Sequence, residues 1–154
     1  MAVKAHSVVF DQASRPLALY LHWPFCRAKC PYCDFNSHVS NDVDIKIFGD
    51  ALCAEMTHMA SLMPSRPPLS SLFFGGGTPS LMPPILVERL IRHAEDLFGF
   101  TGDIEITAEA NPTSVEADAM LGFQKAGVNR VSMGVQSLDD ASLKFLGREH
   151  SAAN

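Results

Sequence analysis

Three cysteines stand close together in the run Cys26-Arg27-Ala28-Lys29-Cys30-Pro31-Tyr32-Cys33. Thiolates this close in the chain can wrap around one metal centre. A 4Fe–4S cluster usually takes four cysteine ligands. Three would leave one iron open, and an open iron can chelate a small molecule. Two other chemistries use the same residue types. A structural zinc site wants four ligands, for which His22 or His38 could complete the set, although the spacing is not the usual paired one. Cys30-Pro31-Tyr32-Cys33 is also a CxxC of the dithiol redox type, and it follows a predicted strand. That reading leaves Cys26 unexplained. Burial alone is a poor account of three cysteines in a loop beside Pro24 and Pro31. Cys53 follows Leu52 on a predicted helix and reads as a small core residue.

Two further segments could touch a ligand. The first is Gly75-Gly76-Gly77-Thr78-Pro79. An ordinary turn explains one glycine, but three in a row fit backbone that approaches a ligand closely and offers it N–H and C=O groups. The second is Glu109, directly after a predicted strand and ahead of Asn111-Pro112. His6, His22, His38, His58, His93 and His150 are dispersed and form no ligand pattern.

The elements that must position these residues follow from hydrophobic periodicity. Leu17–Trp23 reads as a buried strand stopped by Pro24, and the cysteine loop comes next. Ile45, Phe48, Leu52, Met56, Met59 and Met63 recur at helical spacing. Leu69–Phe74 is a second strand, running into the glycines. Pro83–Phe98 is a helix with Leu86, Leu90, Ala94 and Leu97 on one face, and proline suits its first turn. Asp103–Ala108 is a third strand. Thr113-Ser114-Val115-Glu116 has capping-box spacing, which starts a third helix ending at Gly127. Arg130–Gly134 is a fourth strand, and Ser137-Leu138-Asp139-Asp140 caps a fourth helix. Strands alternating with helices imply an α/β fold with parallel strands and right-handed crossovers. In barrels of this kind the site lies in the loops after the strands, where each of these motifs falls.

Composition narrows the class further. The chain has 154 residues, 47% of them hydrophobic and 19% charged, enough for one core. A net charge of −5 argues against a nucleic-acid or anionic-membrane surface. The apolar runs are too short to span a bilayer, and residues 1–16 lack a signal-peptide stretch. We expect a cytoplasmic protein, where thiols stay reduced.

The run from Tyr20 to His38, YLHWPFCRAKCPYCDFNSH, resembles the radical S-adenosylmethionine (SAM) signature CxxxCxxC. More closely, it is similar to the oxygen-independent coproporphyrinogen III oxidase family and its heme-chaperone relatives of the HemW type. The likeness continues through FFGGGTPSL, EITAEANP and AGVNRVSMGVQSLDDASLKFLGREH. It implies a partial TIM barrel of about six βα units, of which this chain carries about four at the N-terminal side. Residues 1–16 would be an extension and 17–154 the core. We expect a fragment or truncated product with an unpaired last strand.

The resemblance also implies roles at matched positions. Cys26, Cys30 and Cys33 would ligate a 4Fe–4S cluster whose open iron binds SAM. Tyr20, Tyr32, Gly76, Gly77, Thr78 and Glu109 match SAM-contacting positions. Gln136 and Arg148 match positions that contact a second SAM in the oxidase. Asn129 and Arg130, in the GVNR segment, are expected to make structural contacts. The oxidase pattern has a further cysteine two residues after the third, where this chain has Phe35. That departure favours a chaperone that binds heme and passes it to a recipient apo-protein, with membrane contact only through that recipient. The alternative is an oxidase that draws an electron from a donor protein, cleaves SAM and abstracts hydrogen from a porphyrinogen.

Overall fold

A computed structural model describes residues 16–40 and 42–153, with the side chains of 114–118 left aside. The predicted extension, apart from Pro16, lies outside the described residues. The elements are β1 (Leu17–Trp23), β2 (Phe25–Cys26), β3 (His38–Val39), α1 (Ile45–Leu62), β4 (Leu69–Gly76) and α2 (Pro84–Phe98). They continue with β5 (Phe100–Ala110), α3 (Ser114–Ala126), β6 (Arg130–Met133) and α4 (Asp140–Phe145). A short 3₁₀ turn, Pro79–Leu81, joins β4 to α2.

Among the described residues, β1, β4, β5 and β6 form one parallel sheet in the order β1-β4-β5-β6. Consecutive strands are neighbours, as repeated right-handed βα crossovers require. This is the expected α/β architecture of about four βα units. Registers such as Tyr20↔Phe73↔Thr107↔Arg130 align side chains across the sheet. Successive strand residues point to opposite faces. Leu21, Trp23, Leu72, Phe74, Ile106 and Ala108 therefore turn to the helices and form the core with Leu86, Val87 and Leu90 of α2. Tyr20, Phe73, Thr107 and Arg130 occupy the other, concave face. There Arg130 donates to Glu105 and Thr107, each at 3.2 Å.

The stripe of α1 contains the expected Met56, fully inside, with Ile45, Phe48, Leu52 and Met63 packed partly buried against the core, and it departs from the expected one at Met59. Gly49, Cys53, Met56 and Ala60 face inward, while Met59 is exposed. The reason is close packing against α2: a Cβ on Gly49 would lie 2.6 Å from Leu86 Cδ1. Small residues at the contact let the helices approach. Helix α2 likewise buries Val87, Ile91 and Phe98 besides the expected Leu86, Leu90 and Ala94. Helix α3 begins where the capping-box spacing places it, but the Thr113 hydroxyl makes no capping hydrogen bond. Helix α4 ends at Phe145, and the chain runs on past it. Asn129 is structural, as expected. Its amide accepts from Ile106 N at 2.8 Å and donates to Ile104 O at 2.8 Å, extending the edge of β5 like a short strand. No helix among the described residues is long and apolar enough to cross a membrane.

Candidate functional site

The loops after β1, β4, β5 and β6 converge on a cavity of about 460 Å³. Its walls include Cys26, Cys30, Cys33, Tyr32, Gly76, Gly77, Thr78, Glu109, Gln136 and Arg148. Of the residues expected to hold the cluster or contact SAM, Tyr20 alone does not line this cavity.

The cysteine loop is a closed ring. Strands β2 and β3 pair its two ends, Phe25↔His38 and Cys26↔Val39. Backbone bonds from His38 N to Pro24 O at 2.7 Å and from Ser40 N to Cys26 O at 3.3 Å support the pairing. Inside the ring, Cys33 N donates to Cys30 O at 3.0 Å. The Cys33 thiol lies 3.7 Å from the buried Ser37 hydroxyl. The sequence carries no sign of the two-residue strands, because such short pairings have no periodicity to read.

The glycine run docks on this ring. Gly77 N donates to Trp23 O at 2.7 Å, Thr78 N to Phe25 O at 2.9 Å, and Gly76 N to Glu109 Oε2 at 3.2 Å. All three N–H groups are thus engaged by the protein, which departs from the expectation that they face a ligand. The need for glycine is instead steric. A Cβ on Gly77 would stand 2.8 Å from both Cys26 Sγ and Phe25 O. Gly76 has φ +117°, a region that residues with a Cβ rarely enter. Glu109 consequently works first as a tie between the end of β5 and the glycine loop.

Tyr20 lies on the concave face of β1, outside the cavity wall. Its hydroxyl is 3.2 Å from His22 Nδ1, and His22 Nε2 is 2.9 Å from Asn36 O. A carbonyl can only accept, so Nε2 carries the proton and Nδ1 accepts from the Tyr20 hydroxyl. His22 thereby anchors the far side of the cysteine loop to β1. In the sequence His22 reads only as a possible zinc ligand. The signal was the two-residue spacing, which puts Tyr20 and His22 on one face of the strand. Burial pushes the Tyr20 phenol above its ordinary pKa, and the nearby Glu109 charge adds to the shift.

On the opposite side, Arg148 Nη1 donates to Cys30 Sγ at 3.4 Å and to Tyr32 Oη at 3.5 Å. Its Nη2 donates to Asn111 Oδ1 at 2.6 Å and to Gly134 O at 2.7 Å. Burial raises the Tyr32 phenol pKa, Cys30 pushes it the same way, and the Arg148 charge opposes. Gln136 holds φ 68°, a strained conformation for a residue with a side chain and of the kind found at functional sites. His150 is buried in the cavity wall, with Nε2 at 3.0 Å from Val135 O. Cys53 lies in the core away from this cavity, and burial pushes its thiol pKa up.

The donor set fits an iron–sulfur cluster. Cys26, Cys30 and Cys33 are all free thiols on one cavity. Among the described residues, no group of three or more His, Cys, Asp or Glu is placed to hold a metal ion. Thiolate sulfur is the usual ligand of such a cluster.

A parallel βα sheet with three cysteines on one cavity at its carboxyl end makes this a βα protein with a thiol-lined site. The family comparison is specific: residues 20–154 match the radical SAM superfamily. The chain belongs to that superfamily, which implies a 4Fe–4S cluster and SAM. It is 42% identical over 94% of its length to radical S-adenosyl methionine domain-containing protein 1, mitochondrial, of Mus musculus, covering 32% of that protein. It is 43% identical over 88% of its length to the heme chaperone HemW of Escherichia coli, covering 36%. Among solved structures it resembles coproporphyrinogen III oxidase (HemN) from Escherichia coli. There the TM-score is 0.78 and the identity 36%, over 89% of this chain and 32% of that one. The chain spans about a third of the length of these relatives.

Proposed function

We propose that the chain is the cluster- and SAM-binding part of a HemW-like heme chaperone. The observation that carries the cofactor reading is the single cavity shared by Cys26, Cys30, Cys33, Gly76, Gly77, Thr78 and Glu109. Cys26, Cys30 and Cys33 would hold three irons. When bound, the cluster would supply a low-potential electron and an open iron for SAM. The chain's own residues close the site around it. The glycine loop packs against the Cys26 sulfur, Glu109 fixes that loop, and the Tyr20–His22–Asn36 chain fixes the far end of the ring. Tyr32, Gln136 and Arg148 stand on the remaining wall, where they would contact SAM.

Phe35 supports the chaperone over the oxidase. It is exposed on the cavity rim, where the oxidase pattern has a further cysteine. The 43% identity to proteins named heme chaperone supports the same choice. The fold match to coproporphyrinogen III oxidase favours the second reading, a radical oxidation of a porphyrinogen. A dithiol module accounts for Cys30 and Cys33 but leaves Cys26 on the same cavity without a role.

The test begins with anaerobic reconstitution with iron and sulfide, iron counting, and EPR of the reduced protein with and without SAM. We expect a 4Fe–4S signal that changes on adding SAM. Incubation with coproporphyrinogen III, SAM and a reductant then separates the two readings. Formation of protoporphyrinogen would overturn the chaperone reading. Heme binding without that conversion supports it.

A further inference from the structure

We infer that Arg148 is a positioning residue for the cluster, gripping the Cys30 sulfur from outside the cysteine loop and raising the cluster's affinity for an electron. The inference rests on the cluster reading above. It concerns the cysteine ligand itself and is separate from any contact of Arg148 with SAM.

The geometry is that of a clamp. One guanidinium nitrogen reaches Cys30 Sγ at 3.4 Å, and the other is held by Asn111 Oδ1 at 2.6 Å and Gly134 O at 2.7 Å. Asn111 follows β5 and Gly134 follows β6, so the sulfur is tied to the ends of two strands of the sheet. Gly147 reinforces the clamp by lying against Pro31 in the same loop, where a Cβ would come within 3.0 Å of Pro31 Cδ. A planar, permanently charged fork can make these contacts together, whereas an ammonium on a flexible stem cannot.

The physical consequence concerns the electron. Reduction adds negative charge to the cluster and its thiolates. A cation donating N–H to a ligand sulfur stabilises the more negative state, and hydrogen bonds to the sulfurs are among the features that set cluster potentials. Removing the donor should therefore make reduction harder without removing any iron ligand.

The experiment is an EPR-monitored redox titration of the reconstituted chain, without SAM, comparing the parent with Arg148→Gln. Glutamine carries no charge and is too short to span the clamp. At a fixed potential the ratio of reduced to oxidised cluster should fall on the order of tenfold, a midpoint about 59 mV more negative for one electron. Iron content should stay at the parental level. A parental midpoint in Arg148→Gln with parental iron content overturns the inference. Should Arg148→Gln lose iron, Arg148→Lys keeps the charge and carries the same readout. A lowered midpoint in that variant supports the clamp, and a parental one overturns it. A parent chain that takes up no cluster overturns the cluster reading itself, and the inference falls with it.

Discussion

At the scale of single residues, the site is governed by how closely the backbone passes the sulfurs. Gly77 shows this most sharply, since any side chain there would collide with Cys26 Sγ and with backbone that cannot move cheaply. Gly77→Ala should sharply reduce iron uptake while leaving the fold intact. Iron per chain after reconstitution, with circular dichroism as the fold control, checks this. The chemistry-bearing residues were legible because their types are rare and their spacing is tight. Cys26, Cys30, Cys33, the glycine run and Glu109 all announce themselves. Their partners were not legible. His22 and Asn36 are 14 residues apart, and Arg148 and Cys30 are 118 apart. Nothing local in the sequence records a contact that only the folded sheet creates.

At the scale of elements, the alternation of strands and helices was readable because each element buries one face. The edges of that reading failed where packing overrides pattern. Strand β5 runs Phe100–Ala110, beyond the expected Asp103–Ala108, because its parallel pairing with β4 begins at Leu69↔Phe100. Gly49 and Cys53 join the inward stripe of α1, where small residues admit α2 more closely than methionine would. Phe123 of α3 is fully buried in the core. Phe123→Ala should destabilise the chain by about 3 kcal/mol or more, as large-to-small aromatic changes do. Urea denaturation measures it. Helix α4 depends on Asp139, whose carboxylate accepts from Ser142 N at 2.8 Å and from Ser142 Oγ at 2.7 Å. These bonds hold the Asp139 pKa below its ordinary 3.8. A depressed carboxyl stabilises above its unfolded pKa and loses that contribution as pH falls through the folded one. Hydrogen-exchange protection at the Ser142 amide should therefore decline below about pH 3.8. In Asp139→Asn that acid dependence should disappear.

For the molecule as a whole, β6 is the edge strand of the sheet among the described residues, paired with β5 alone. Val131 and Met133 of β6 are exposed. An open strand edge with apolar side chains is a template for pairing with another chain. Light scattering should rise with concentration in the parent, and Val131→Lys should lower it at equal concentration. An unchanged scattering profile would remove edge pairing as the cause.

The clamp on Cys30 also has a consequence in time. During synthesis the N-terminal part emerges and begins to fold first. Cys30 leaves the ribosome 118 residues ahead of Arg148. The loop and its thiols are therefore complete in sequence long before the guanidinium that steadies one of them exists. Contacts this distant in the chain are made late, after the local ones have paid their closure entropy. The clamp from Arg148, just past α4, is therefore the last of these contacts that the growing sequence can supply.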